Sequence, residues 1–308
     1  MHEHRKRTPI LRTSPADPAT ARTLQRRHAA GSLVRLLPGV FIERDVWEGL
    51  ALHERHLTRA RAVAPLLRPG SVFSHGTAAM IHGWPWIGDV GDRVHVLDPN
   101  ATVIQHRAGV IRHPGVPRTA VDPAAFDGVP VTSALDTAVM LATSCALHVA
   151  AVAVDAAVRR KQVRIDELQQ HVPRRPARGS VRAAAVLEAL DPLHESAGES
   201  FAAARFVELG MPPWVSQALV RHADGTIDRL DFWFPSLGVV VEFDGRQKYV
   251  DPTMLDGRDP GDVLWAEKRR EDRVRALPAV RTVVRATWWH LVELDRLRAL
   301  FRAHGVPV

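Results

Sequence analysis

Cysteine is all but missing: Cys145 is the only one in 308 residues. That excludes an internal disulfide and any zinc site built on paired thiolates. Lysine is nearly as scarce, with four (Lys6, Lys161, Lys248, Lys268) among 41 basic residues. Aromatic residues make up 6%, with Tyr249 the single tyrosine, which argues against recognition of single strands by base stacking. No apolar run approaches the roughly 18 residues that span a bilayer. The longest candidate, Ala138–Val158, is broken by Thr143, Ser144, His148 and Asp155. No apolar signal core follows the charged segment Met1–Arg7. We therefore expect a cytoplasmic protein with no membrane partner.

What is present begins with an ordinary globular content of hydrophobic residues, 46%. At roughly 100–200 residues per domain the length suggests two or three domains. The net charge is +7, from 41 Lys+Arg against 34 Asp+Glu. Guanidinium groups pair bidentately with phosphate, so an arginine-rich surplus suits a polyanion. GC-rich codon usage gives the same composition, and net charge alone identifies no partner.

Along the chain, Ala19–Ala30 reads as a short helix stopped by Gly31. Leu33–Leu36 and Val40–Ile42 flank the turn Pro38-Gly39. A helix and then a basic hairpin is how the end of a winged helix reads, with Arg22, Arg26 and Arg27 on the helix and Arg35 on the hairpin. Further helices are expected over Leu50–Leu67, Ser74–Gly83, Ser133–Val158 (two, joined near Ser144-Cys145) and Val181–Leu190, and strands over Arg93–Leu97, Val103–Arg112 and Gly128–Val131. The 16 histidines show no metal-ligand spacing. His75 reads as a surface residue or one satisfied by a local hydrogen bond.

The last third carries the chemistry. Ser196–Leu209 is expected to be a helix: Ser196 and Glu199 have capping-box spacing, Gly210 fits the C-terminal cap, and Pro212-Pro213 forbids continuation. Strands follow over Trp214–Arg221, Ile227–Phe234 and Gly238–Asp244, then a helix over Val263–Leu277, a strand over Val280–Ala286 and a closing helix over Trp288–His304. The Trp288-Trp289 pair is expected to pack as core at its junction.

Val239-Val240-Val241 is a continuous apolar run, so this strand is expected at the centre of its sheet. Alternation puts Val240, Glu242 and Asp244 on one face. If Ser236-Leu237 form a two-residue loop, Asp231 falls opposite Glu242. Like charges so opposed are destabilising. Something cationic should sit with them: a divalent metal, Lys248, or a basic residue of the next helix. Hard oxygen ligands suit Mg2+ or Mn2+. Local pairing, with Arg229 or Arg246 serving Asp231 and Asp244 serving a turn, is the alternative. On the helix Val263–Leu277, Glu267 and Arg270 fall on the apolar stripe, and Lys268 and Asp272 form an i,i+4 pair. Glu199 has its capping role, with the carboxylate cluster as its alternative partner.

The pieces SAGESFAAARFVELGMPP, RLDFWFP, VVVEFDGRQKY, EKRREDRVRAL and VVRATW, in order along Ser196–Leu300, resemble the Vsr-like endonuclease-domain family of the PD-(D/E)XK nuclease superfamily. The resemblance implies an αβββαβ core and a metal-dependent phosphodiester nuclease. It casts Asp231 as the first motif acid, Glu242 as the second and Asp244 where the superfamily name has lysine, with Asp231 and Glu242 holding the metal and Asp244 as third ligand or water orienter. Lys248 stands where the family usually has histidine and implies a cationic group at the site. Glu199, Glu267, Lys268 and Arg270 would lie around these residues. The pieces LVRLLPGVFIE, SHGTAAMIHGWPW, GVPVTSALDTAVMLA and AVDAAVRR resemble the AbiEi-antitoxin-like region that actinobacterial proteins join to this domain.

The expectation is thus an α/β protein. Residues 1–95 would be a truncated winged-helix-type region, 96–190 an α+β middle domain, and 191–308 a restriction-endonuclease-like αβββαβα domain. Its partner would be DNA, its metal Mg2+ or Mn2+, and the AbiEi likeness adds a toxin or other protein partner. The competing reading is a DNA-binding regulator or antitoxin-like protein whose nuclease-like domain is catalytically silent.

Overall fold

The computed structural model describes residues 9–107, 109–118, 122–222, 224–245 and 260–308. The chain is a mixed α/β protein with three sheets among the described residues. It divides into two compact units, Met1–Leu141 and Ala142–Val308. Among the described residues, no helix is long and apolar enough to cross a membrane.

The first unit opens with β1 (Leu11–Arg12), α1 (Pro18–Ala29), β2 (Leu33–Leu37) and β3 (Val40–Glu43). Asp17 caps α1, accepting from the Thr20 N–H at 3.0 Å, and Pro18 sits in the first turn, where its missing donor costs nothing. The three strands form an antiparallel sheet, β1-β3-β2. Leu24 of α1 packs with Leu33 and Phe41 of that sheet.

Then come α2 (Arg44–Gly49), α3 (Leu52–Val63), β4 (Val72–Phe73), α4 (His75–Ile81), β5 (Val94–Asp98), β6 (Gln105–Arg107), β7 (Val110–Pro114), β8 (Asp122–Phe126), β9 (Val129–Val131) and α5 (Ala134–Ser144). The six strands form one mixed sheet, β6-β7-β5-β4-β9-β8. Phe73, Val94, Val96, Val110 and Val131, from four of these strands, share its core. The expected strand Val103–Arg112 is instead the hairpin β6–β7, turning at Gly109, whose φ of 79° suits glycine. The expected boundary at 95/96 falls inside β5, because β5 pairs on one side with β4 and on the other with β7. The compact division falls within α5 rather than at 190/191.

The second unit contains α6 (Leu147–Arg159), α7 (Ile165–His171), α8 (Ser180–Ala189), α9 (Ala197–Leu209), β10 (Val215–Arg221), β11 (Ile227–Phe234), β12 (Val239–Asp244), α10 (Pro260–Arg275), β13 (Thr282–Thr287), α11 (Trp288–Val292) and α12 (Leu294–Ala303). Small side chains, Ala151, Ala189 and Ala204, join α6, α8 and α9. The expected Ser196 cap is present, its Oγ accepting from the Glu199 N–H at 3.1 Å. The Glu199 carboxylate, however, reaches past the cap residue to the Glu195 N–H at 2.9 Å rather than to the Ser196 N–H of a reciprocal capping box. Gly210 ends α9 at φ 67°.

The sheet order is β10-β11-β12-β13, antiparallel except for the parallel pair β12–β13. Val239, Val240 and Val241 are fully buried at its centre, as their continuous apolar run predicts. Phe206 of α9 meets Phe232 and Phe234 edge-on at 5.0 and 5.2 Å, while Val274 of α10 joins Leu230, Val240 and Val283.

Two expectations at the end of the chain are corrected. Trp288–His304 is two helices, broken at Glu293, whose backbone is extended at φ −121° and ψ 121°. Trp288 and Trp289 are 39% and 59% exposed rather than core, because the apolar side of this junction is filled by Leu291, Leu297 and Phe301.

Gly198 marks a close approach. A Cβ there would run into the Phe243 ring, itself buried and packed edge-on against Trp288 at 5.5 Å. Gly198→Ala would normally gain about 1 kcal/mol of helix propensity. Overpacking against a fixed ring costs about 1–3 kcal/mol. We expect a net loss of stability in urea denaturation, and a net gain would refute this reading of the contact.

Candidate functional site

The carboxylate cluster forms where β11, β12 and α10 meet. The pairs Trp233↔Val240 and Phe232↔Val241 fix the hairpin register. The same register continued by one residue brings Asp231 beside Glu242. Gly238, at φ 63°, closes the turn with its Cα facing the Ala279 carbonyl, where a side chain would crowd it. The Asp231 carboxylate accepts from the Phe243 N–H at 2.8 Å. The Glu242 side chain is 17% exposed and accepts from Arg270 Nη2 at 3.0 Å. The same guanidinium also donates to the Arg229 carbonyl.

Burial, and then the charge of Asp231, push the Glu242 carboxyl up to about 7, against the opposing pull of Arg270 and Arg285. The physical content is a pair of acids too close for both to ionise cheaply, even with one arginine already in place. The expected cationic residue from the next helix is therefore present as Arg270. Arg229, the local partner considered for Asp231, pairs instead with Glu195 at 2.7 Å.

The raised value has a consequence for stability. A carboxyl whose folded pKa exceeds its unfolded value binds its proton more tightly in the folded state. Glu242 therefore favours folding at acid pH, and that contribution fades as pH rises from about 4.5 to about 7. In chelator, we expect wild type to lose on the order of 1–3 kcal/mol through this window, and Glu242→Gln to lose less. Equal pH profiles for the two proteins in urea denaturation would contradict this.

The other residues expected at the site fall out differently. Asp244, on the Glu242 face of β12, pairs across the sheet with Thr287. Asp231, Glu242 and Asp244 do not draw their oxygens into one tight triple; among the described residues, only three histidines bring their ligand atoms together in that way. Arg246 and Lys248 lie outside the described residues, as does the side chain of Glu267. Lys268 is exposed on α10. Glu199 is committed to local partners: its oxygens accept from Ser196 Oγ and Gln217 Nε2, both at 2.7 Å. In the first unit Arg22, Arg26 and Arg35 are exposed, whereas Arg27 is committed to Glu43 at 2.7 and 2.8 Å.

No family model matches the chain, and no curated protein matches it. Among solved structures, the crystal structure of RV2827C protein from Mycobacterium tuberculosis aligns with 71% of this chain and 85% of its own, at 16% identity and a TM-score of 0.37. A likeness that distant carries no argument about function.

Two constellations escaped the sequence reading. Asp155, His194 and Ser216 line up as acid, imidazole and hydroxyl: His194 Nδ1 donates to Asp155 at 2.9 Å, and Nε2 lies 3.2 Å from Ser216 Oγ. This has the order of a nucleophile, base and orienting acid. All three are buried, however, so no substrate reaches the hydroxyl. The chain of bonds is a clamp joining α6, the segment before α9, and β10.

The second is His75, His95 and His113. His95 and His113 share one face, since β5 and β7 pair in parallel with His95 opposite Ile111. His75 opens α4, which follows β4. The Ser74 N–H donates to the His95 carbonyl at 3.0 Å, which brings the start of α4 beside the same point of β5. Burial, and then neighbouring imidazoles, push His75 down to about 2 and His95 to about 3, and lower His113 as well. The only local signal was the strand alternation around His95 and His113. Their convergence with His75 depends on non-local pairing.

Proposed function

We propose that the second unit is a metal-dependent DNA endonuclease, hydrolysing phosphodiester bonds at the Asp231–Glu242 pair. The observation that carries this is two acids side by side on the neighbouring strands β11 and β12, where burial and then the charge of Asp231 push Glu242 up to about 7. Perturbed carboxylates of this kind cluster where chemistry is done. The order α9-β10-β11-β12-α10-β13 supports the reading, because it is the αβββαβ order implied by the Vsr-like resemblance.

The donor set fits a hard divalent cation. Both groups are carboxylates, each raises the cost of ionising the other, and Mg2+ characteristically takes one or two carboxylates and keeps its waters. Asp231 and Glu242 would hold the ion, and Asp244 would orient water from the same face. Bound there, Mg2+ or Mn2+ supplies activation of water and stabilisation of charge on the phosphate oxygens. The Phe243 N–H holds Asp231 in place. Arg270, with Lys248 as the family position implies, places positive charge against the developing phosphorane. Arg22, Arg26 and Arg35 of the first unit, in the proposed winged-helix-type region, contact backbone phosphates. Such contacts position DNA without reading its sequence.

A second reading is kept alive by Arg270, which already pairs with Glu242 at 3.0 Å without a metal. On that reading the domain is silent and the chain is a DNA-binding regulator or antitoxin-like protein with a toxin partner. Incubation with supercoiled plasmid separates the two. We expect relaxation or linearisation in Mg2+ or Mn2+ and none in chelator. DNA binding weakened by salt, with no cleavage in either metal, would favour the regulator.

A further inference from the structure

The first unit carries a donor set of different chemistry from the carboxylate pair. We propose that His75, His95 and His113 form a binding site for a transition metal of the zinc class. Three imidazoles from three separate elements, α4, β5 and β7, offer ligand nitrogens that all lie within 4.8 Å of one another. His95 Nδ1 and His113 Nε2 are 3.0 Å apart. Metal–nitrogen bonds of about 2.0–2.1 Å in a tetrahedral site set neighbouring nitrogens roughly 3.3 Å apart. The pair therefore needs only a small adjustment to share an ion.

The His75 ring stacks on His113 with centroids 3.9 Å apart, so sharing an ion requires it to tilt about its side-chain bonds. The His75 Nδ1 lies 3.0 Å from Ser74 Oγ, which leaves Nε2 as its ligand atom. A ligating histidine is ordinarily fixed in this way, with its second ring nitrogen bonded to a neighbouring group. Its backbone sits at φ 50°, a conformation non-glycine residues seldom adopt, and Trp86 closes over Gly76 beside it. Each of the three is partly exposed, so an ion can enter from solvent. Each is also held uncharged by burial, the form in which imidazole binds a metal.

The donor set selects the ion. Imidazole suits Zn2+, Ni2+ and Cu2+, whereas Mg2+ prefers oxygen. This site and the carboxylate pair thus take different metals. Three protein ligands leave a fourth position for water, the arrangement of an open rather than a closed structural zinc site.

The test uses tag-free, full-length protein stripped with chelator and titrated with CoCl2, read by visible absorption and by metal content after dialysis. We expect one cobalt per chain, with the d–d bands of a four-coordinate nitrogen site, displaced by ZnCl2. His95→Ala and His113→Gln should each weaken the cobalt binding read by these bands at least about 100-fold. His113→Gln keeps a polar side chain of similar size at the partly exposed end of β7, so it carries the test if His95→Ala fails to fold by circular dichroism. Absence of stoichiometric cobalt in folded wild type, or equal binding by the His113→Gln protein, would overturn the assignment. Loss of DNA cleavage alone would bear only on the carboxylate site.

Discussion

Asp231→Asn and Glu242→Gln are each expected to reduce metal-dependent DNA cleavage by more than the roughly 10–100-fold that outer-shell changes cost. Both substitutions keep side-chain volume and remove charge. The folded state should tolerate them. In Asp231→Asn an amide oxygen still accepts from the Phe243 N–H, and Glu242, its carboxyl pushed up to about 7, is already partly protonated near neutral pH without metal. Loss of activity with retained stability is therefore the signature of a ligand role. Arg270→Ala separates two effects within the same site. It removes the cation on Glu242, which makes the pair more negative, and it removes a positive charge available to phosphate. If the transition-state role dominates, cleavage falls by about 10²–10³-fold. A rise in cleavage would assign Arg270 to holding the site closed.

The largest stability effect is expected at Asp155. Its side chain is 0% exposed and gathers Arg159 at 3.1 Å, His194 at 2.9 Å, the Ser200 hydroxyl and the Asp191 N–H at 3.1 Å. Asp155→Ala removes the acceptor from all four donors at once. Breaking a buried charged network by deleting one partner costs about 3–5 kcal/mol. Asp155→Asn should cost less, because an amide oxygen still accepts from some of the four. Chemical denaturation of both variants checks the ordering, and a loss below about 1 kcal/mol for the alanine variant would show the network to be dispensable.

The second unit was largely legible in sequence because its signals are local. Ser196, Glu199 and Gly210 bracket α9, and the turn Pro235–Gly238 sets the hairpin register that brings Asp231 beside Glu242. Val239–Val241 announced a strand buried on both sides. The contribution of Arg270 was legible only as a charge on an apolar helix stripe; its partner depends on how α10 crosses the sheet. The first unit was harder to read for the same reason in stronger form. Its sheet order, β6-β7-β5-β4-β9-β8, is far from sequence order, so the gathering of His75, His95 and His113 has no fixed spacing to betray it. The tryptophans at Trp288 and Trp289 misled because composition ranks aromatics as core, while Leu291, Leu297 and Phe301 had already filled that side.

The most direct test of the carboxylate pair is a paired measurement of Mn2+ binding and plasmid cleavage, on wild type and Asp231→Asn. Wild type should bind Mn2+ and cut DNA over the same range of metal concentration, and Asp231→Asn should lose both while binding DNA as before. Cleavage undiminished in Asp231→Asn, or DNA binding by wild type with neither Mn2+ bound nor DNA cut, would contradict it.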